Sequence, residues 1–326
     1  DVAFVSDPAM IRQALVRQAA SPVRWVETMR AMQREGVAQI YECGPGKVLA
    51  GLVKRCAEGV AGTALADLAA QRLRHDQRIA RAGFGIAEAA EDDTRVVLRG
   101  WRFERSGNAD ASVYSAQIAS DAAGFAFDLE LATTQAPLLQ GEAGFSRKGP
   151  LPAQASHYYS QPQLVVRGTL ARDGKPQPVQ GRAWLDHEWS DEIMPADAVG
   201  WDWLGINLLD GGALTAFRLR RADGSALWAG GSLRRPGAAA RAFAPEEPLP
   251  RWPGPPPRAD YPMGGRIPTP AGTQRVRALA PDQELDSRAS TGAIYWEGLS
   301  ELLDEQGRRI GLGYLEMTGY AARLRL

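Results

Sequence analysis

The sequence predicts a mainly β protein behind a small α/β fragment, on three observations. Eight of the nine tryptophans lie at or after Trp101. Turn dipeptides recur through the same stretch, at Gly107-Asn108, Asp173-Gly174, Asp210-Gly211 and Asp223-Gly224. The segments between them alternate apolar and polar residues, the period of a half-buried strand. Many short strands separated by turns argue for an all-β sandwich or barrel.

The first 70 residues read differently. Asp7-Pro8 starts a helix with proline in its first turn, and Ile11, Ala14, Leu15 and Ala19 follow near helical spacing. Ser21-Pro22 repeats the start signal. Trp25, Met29 and Met32 continue along one face, and Gly36 closes the helix. Val37 to Cys43 is a short apolar run suited to a buried strand. Gly44-Pro45-Gly46 turns the chain, and Lys47 to Ala57 fits another helix. Farther on, Leu164–Leu170 before Asp173-Gly174 and Leu214–Arg220 before Asp223-Gly224 each read as a strand running into a turn. Residues 245–262 are too rich in proline for a central strand and suit an extended connection. The expected domains are therefore 1–70, 75–244 and 245–326.

Composition narrows the function. Of 326 residues, 38 are basic and 38 acidic, so the net charge is zero. That argues against nucleic acid and against an anionic membrane surface as partners. Two cysteines, Cys43 and Cys56, lack metal-ligand spacing, so no metal is expected. No run of 18 apolar residues offers a transmembrane span. The chain starts at Asp1 without a basic, then apolar, leader, and is expected to be processed or part of a longer reading frame. Neither compartment nor oligomeric state is legible. Gly44-Pro45-Gly46-Lys47 lacks phosphate-loop spacing and reads as a turn and helix start.

Two family resemblances add to this. Ile11–Gln18, Ser21–Trp25 and Tyr41–Leu52 resemble the C-terminal end of malonyl-CoA:acyl-carrier-protein transacylase. Catalysis in that family needs a serine on a Gly-x-Ser-x-Gly elbow, a histidine and an arginine. None lies in this segment, and no such elbow occurs in the chain. The resemblance places Gln18 where a backbone carbonyl orients the histidine, so the segment is expected to be an inactive remnant.

From His75 onward a second set of blocks appears: Gly141–Gly149, His157–Ser160, Gly181–Trp189, Gly200–Trp203, Ser290–Gly298 and Gly313–Tyr320. Together they resemble the carotenoid 1,2-hydratase (hydroxyneurosporene synthase, CrtC/AttH-like) family. The resemblance implies tandem lipocalin-like β-barrels, an apolar small-molecule ligand such as a carotenoid or polyene, and no cofactor. Family members carry about a third of the fold ahead of the point matched by His75. The first barrel is therefore expected to be incomplete, and the chain to be a fusion or an assembly artefact.

Adding water to an unactivated alkene needs a proton delivered to carbon. A carboxyl group in an apolar pocket can stay protonated at neutral pH, and aromatic faces stabilise the resulting cation. If 184–190 is a strand, Trp184, Asp186 and Glu188 share one face, while Leu185, His187 and Trp189 share the other. Each face sets a polar group beside an aromatic one. The resemblance implies catalytic roles for His187, Trp189 and Asp202; composition and strand alternation add Asp186, Glu188, Trp184, Trp201 and Trp203 as pocket or support residues. The family's associated tyrosine has no counterpart, because Gly200 stands two residues before Asp202. A hydratase, a non-catalytic carrier using the same pocket, and an inactive fusion remain open. Convergence of His187 and Asp202 on one cavity would favour catalysis.

Overall fold

The protein is described here from a computed structural model, which covers residues 25–37, 39–42, 53, 56–57, 61–64, 74–83, 85–108, 110–190, 194–243, 261, 264–280, 283–288 and 292–324. The chain forms two compact units, Asp1–Arg72 and Leu73–Leu326.

The first unit contains helix α1 (Trp25–Arg34) and strands β1 (Gln39–Glu42) and β2 (Ala61–Ala64), which pair in parallel. Met29 is buried against Val53 and Ala57, with Met32 and Cys56 packed beside them. Gly36 adopts a left-handed φ of +81° just past the helix, the conformation that glycine reaches without steric penalty at a helix end. The expected helix, its glycine stop and the following strand are therefore present. Gln18, Cys43 and the expected helix over 7–19 lie outside the described residues.

The second unit holds two antiparallel sheets. The first comprises β3 (Ala87–Ala89), β4 (Arg95–Leu98), β5 (Trp101–Asn108), β6 (Ala111–Ser120), β7 (Phe125–Ala132), β8 (Leu138–Leu139), β9 (Phe145–Arg147), β10 (Ala155–Arg172) and β11 (Lys175–Trp189). Its order is β11-β10-β7-β6-β5-β4-β3, with β8 and β9 also on β10. The second comprises β12 (Gly200–Leu208), β13 (Ala213–Arg220), β14 (Ala226–Arg234), β15 (Arg241–Phe243), β16 (Gly264–Thr269), β17 (Gly272–Ala278), β18 (Glu284–Ser287), β19 (Ala293–Leu303) and β20 (Arg309–Met317). Its order is β15-β14-β13-β12-β20-β19-β17-β16, with β18 on β19. Among the described residues neither sheet pairs its two end strands.

The turn dipeptides sit where the chain reverses. Asp173-Gly174 joins β10 to β11 in a two-residue loop with φ of +49° and +73°. Positive φ at both central residues matches the right-handed twist of the flanking strands. The change of sheet falls between Trp189 and Gly200, not at 244/245. Strands on both sides of the proline-rich stretch, β15 and β16, belong to the second sheet; the stretch itself, Tyr261 apart, lies outside the described residues.

Residues Leu204, Ile206 and Leu208 of β12 turn into the second sheet's core with Leu214, Trp296 and Leu315. Trp296 and Ile206 are fully buried there. The opposite face of β12 meets β10 and β11. Gln163 helps fix that meeting. It lies at a register shift in β10 with φ of +58°. Its amide donates to the carbonyls of Leu208 and Gly212, each at 2.8 Å, and its backbone N–H donates to Asn207 Oδ1 at 2.7 Å. A left-handed non-glycine residue held by three hydrogen bonds, two of them buried, is over-determined by its surroundings.

Candidate functional site

Strand periodicity creates the site. Trp201, Trp203 and Asn207 of β12 face β10 and β11 across a hollow of about 950 Å³, most of whose surface is apolar. On the first-sheet wall, Trp184, Asp186 and Glu188 share one face of β11, as period two requires. Asp186 Oδ1 accepts from Ser160 Oγ at 2.5 Å and from the Trp184 indole N–H at 2.9 Å. Packing around the carboxyl removes hydration and pushes its pKa up to about 6, against the lowering effect of these donors. The side chain retains open surface, but it borders the hollow. The packed walls, rather than bulk water, set its charge.

Beside it, Glu188 forms an ion pair with Lys148 at 2.7 Å and accepts from Ser156 Oγ. The Lys148 ammonium lies 4.8 Å from the centre of the Tyr158 ring and 4.3 Å from that of Phe217. Burial depresses the Lys148 pKa despite the neighbouring Glu188. The Tyr158 hydroxyl accepts from the Trp203 indole N–H at 2.9 Å, and burial holds its pKa well above the usual tyrosine range. This bond ties the two walls together.

The second-sheet wall carries an unusual pair. Glu297 of β19 stands directly opposite Glu316 of β20, which in turn stands opposite Trp203. Like charges in register repel and are normally avoided. Among the described residues no ion pair reaches either carboxyl. Burial, reinforced by the charge of Glu297, raises Glu316 to about 7, even though the Trp201 indole hydrogen-bonds to it. Burial also raises Glu297. A proton on this pair relieves both the repulsion and the desolvation of charge. Asp186 and Glu188 are close enough to add to the upward shift of Glu316.

The positions expected from the sequence divide sharply. Trp184, Asp186, Glu188, Trp201 and Trp203 all line the hollow. His187 and Trp189 project from the other face of β11. There the Tyr159 hydroxyl lies 3.0 Å from His187 Nδ1, and the Trp189 ring sits 5.1 Å from His187 and 5.4 Å from His157. Trp189 is 51% exposed. His157 belongs to β10 rather than to a loop after Pro152. Asp202 points into the second sheet's interior, its side chain wholly buried. It accepts from Arg218 Nε at 2.6 Å, Arg220 Nε at 3.2 Å and the Tyr320 hydroxyl at 2.9 Å. His187 and Asp202 therefore do not converge. Lys148, Tyr158, Phe217, Glu297 and Glu316 line the hollow without having been singled out as site residues. Among the described residues no group of three His, Cys, Asp or Glu side chains could hold a metal, and no helix is long and apolar enough to cross a membrane.

Comparison with known proteins places these features in context. The family model described as AttH-like matches residues 57–320. A crystal structure assigned as an AttH from Nitrosomonas europaea is 44% identical, with a TM-score of 0.70 over 78% of this chain and 79% of that one. Kievitone hydratase from Nectria haematococca shares the fold at 12% identity, with a TM-score of 0.51 over 73% of this chain and 87% of its own. A segment of the chain is 46% identical over 70 residues to malonyl-CoA–acyl carrier protein transacylase of Salmonella typhimurium, and 45% identical over 65 residues to that of Escherichia coli K12. The chain spans about a quarter of the length of those transacylases, 23% of the first.

Proposed function

The chain belongs to the AttH-like family, and on that premise we propose that its β unit takes a large apolar molecule between the two sheets and adds water, with acid assistance, across a carbon–carbon double bond. The observation that carries this reading is the set of carboxyl groups turned into an aromatic-walled hollow. Glu316, raised to about 7, is the proton donor, and Glu297 shares its proton. Trp201 and Trp203 line the hollow and supply the aromatic groups that stabilise the cation left on carbon. Asp186 on the opposite wall, bonded to Ser160, holds the incoming water and takes up its proton. In this scheme His187, Trp189 and Asp202 act away from the ligand.

An acyclic polyene with a terminal trisubstituted double bond tests the scheme. The wild-type protein in isotope-labelled water should yield a labelled tertiary alcohol, and Glu316→Gln should bind the polyene but not hydrate it. Unchanged hydration by Glu316→Gln would remove that residue from its role.

One observation favours a second reading, a non-catalytic carrier. The histidine and aspartate that the family resemblance makes catalytic do not border the hollow. Quenching of tryptophan fluorescence by the polyene, without any labelled alcohol, would support carriage.

A further inference from the structure

We propose that Lys148 captures apolar aldehydes or ketones in the hollow as an imine, with Glu188 as the counterion. The inference rests on the proposed function only in needing the hollow to admit an apolar ligand.

Four of the 38 basic residues are lysine: Lys47, Lys54, Lys148 and Lys175. Elsewhere among the described residues, buried carboxylates are met by arginine. Arg218 and Arg220 hold Asp202, and Arg277 and Arg309 hold Glu301. Arginine suits a permanent ion pair because it stays charged and forks onto a carboxylate. At the hollow the chain instead carries the one basic group that can give up its proton and become a nucleophile. Only 5% of Lys148 is exposed, yet it borders the hollow. Its partner Glu188 is 2.7 Å away, near enough to take the proton. The ring faces of Tyr158 and Phe217 flank the nitrogen and suit either an ammonium or an iminium. Burial lowers the Lys148 pKa, which eases release of the proton.

The chemistry closes without an outside oxidant or reductant. The ammonium passes a proton to Glu188. The freed lone pair attacks the carbonyl carbon, and the carbon–oxygen π pair moves to oxygen. That oxygen takes the Glu188 proton, then a second proton from nitrogen, and departs as water while nitrogen forms the double bond. The nitrogen keeps its third proton, so the sum is ammonium plus carbonyl going to iminium plus water. The positive charge is conserved beside Glu188, which remains paired.

The test uses the full chain, a conjugated polyene aldehyde and sodium cyanoborohydride, which fixes an imine as a stable amine. Peptide mapping then reads the adduct at each of the four lysines. Lys148 should be labelled roughly tenfold or more above the others, as expected of a desolvated amine beside a bound carbonyl. Lys175 serves as an exposed control beside the β10–β11 turn. Lys148→Arg keeps the ion pair and should abolish that adduct, while a polyene hydrocarbon of the same length still quenches tryptophan fluorescence. Because mapping is read on the wild-type chain, poor folding of the variant would not obscure the result. Labelling spread evenly over the four lysines, with the hydrocarbon still bound, overturns the imine and leaves the hollow as a ligand site. Failure of both hydrocarbon and aldehyde to bind overturns both.

Discussion

Replacing Asp202 with alanine distinguishes a structural anchor from a catalytic acid. In the wild-type fold its carboxylate is wholly buried and answers two guanidinium groups, on side chains 9% and 7% exposed, as well as the Tyr320 hydroxyl. Alanine would leave both arginines in the second sheet's interior without a counter-charge. Removing one member of a buried ion pair costs about 3–5 kcal/mol, because the remaining charge keeps its desolvation penalty. The orphaned tyrosine hydroxyl adds about 1 kcal/mol. Against a typical total of roughly 5–15 kcal/mol, this is a large fraction of the fold's stability. For a unit of this size the sum, about 4–6 kcal/mol, corresponds to a melting temperature lower by roughly 8–24 °C. Urea unfolding followed by tryptophan fluorescence would read the change as a lower midpoint with an unchanged slope. Polyene binding by the folded fraction should persist, since Asp202 points away from the hollow. A variant that melts with the wild type but no longer turns over ligand would refute this reasoning and return Asp202 to the chemistry.

Further outcomes follow from the same geometry. A Cβ on Gly205 would lie 2.6 Å from the Trp203 ring and 2.9 Å from that of Trp184, so Gly205→Ala should displace both indoles, shift the tryptophan emission and cost about 1–3 kcal/mol. Glu316 is raised from 4.5 to about 7, so the fold favours its neutral form. The stability this gives is fully present below pH 4.5 and lost as pH rises through about 7. Glu316→Gln should remove most of that slope, worth about 3 kcal/mol; parallel pH–stability curves for the two proteins would contradict it. Trp203→Phe deletes the donor to Tyr158 and should cost about 1 kcal/mol by scanning calorimetry. The transacylase-like segment lacks the family's serine, histidine and arginine, so the chain should transfer no malonyl group to acyl carrier protein in a radiolabel assay.

Much of the fold is legible because its signals are local. Asp173-Gly174 specifies a hairpin through its own backbone preferences, and β10 and β11 pair on either side of it. Alternation along β11 likewise sorts Trp184, Asp186 and Glu188 from His187 and Trp189 without any knowledge of the partner sheet. What alternation cannot say is which face meets another layer. That choice depends on how β12 docks, a non-local event. Glu297 and Glu316 are harder still to connect. They meet only because β19 and β20 pair in one register, and a slip of one residue would turn either carboxyl to the other face. The available hint was a glutamate interrupting each apolar run, in Trp296-Glu297-Gly298 and Leu315-Glu316-Met317. The sheet boundary is hidden in the sequence for a related reason. A proline-rich stretch marks the absence of strand, but not whether the strands on its two sides belong together.

The two faces of β12 explain why the carried-over residues separate. One face holds Asp202, Leu204 and Ile206 in a filled interior, where charge is tolerated only in a closed ion cluster. The other holds Trp201 and Trp203 over unfilled space, where among the described residues no ion pair reaches Glu316 or Asp186 and burial raises both carboxyls. Chemistry on an apolar ligand needs groups that can change charge. Asp202 is held by two arginines in the filled interior, away from the hollow, whereas burial raises Glu316 to about 7, near the point of gaining or losing a proton. A polar residue in a tryptophan-rich strand is thus assigned by the face it occupies rather than by its neighbours in sequence. On that criterion the proposed acid–base work falls to the wall of β11 and to the β19–β20 pair.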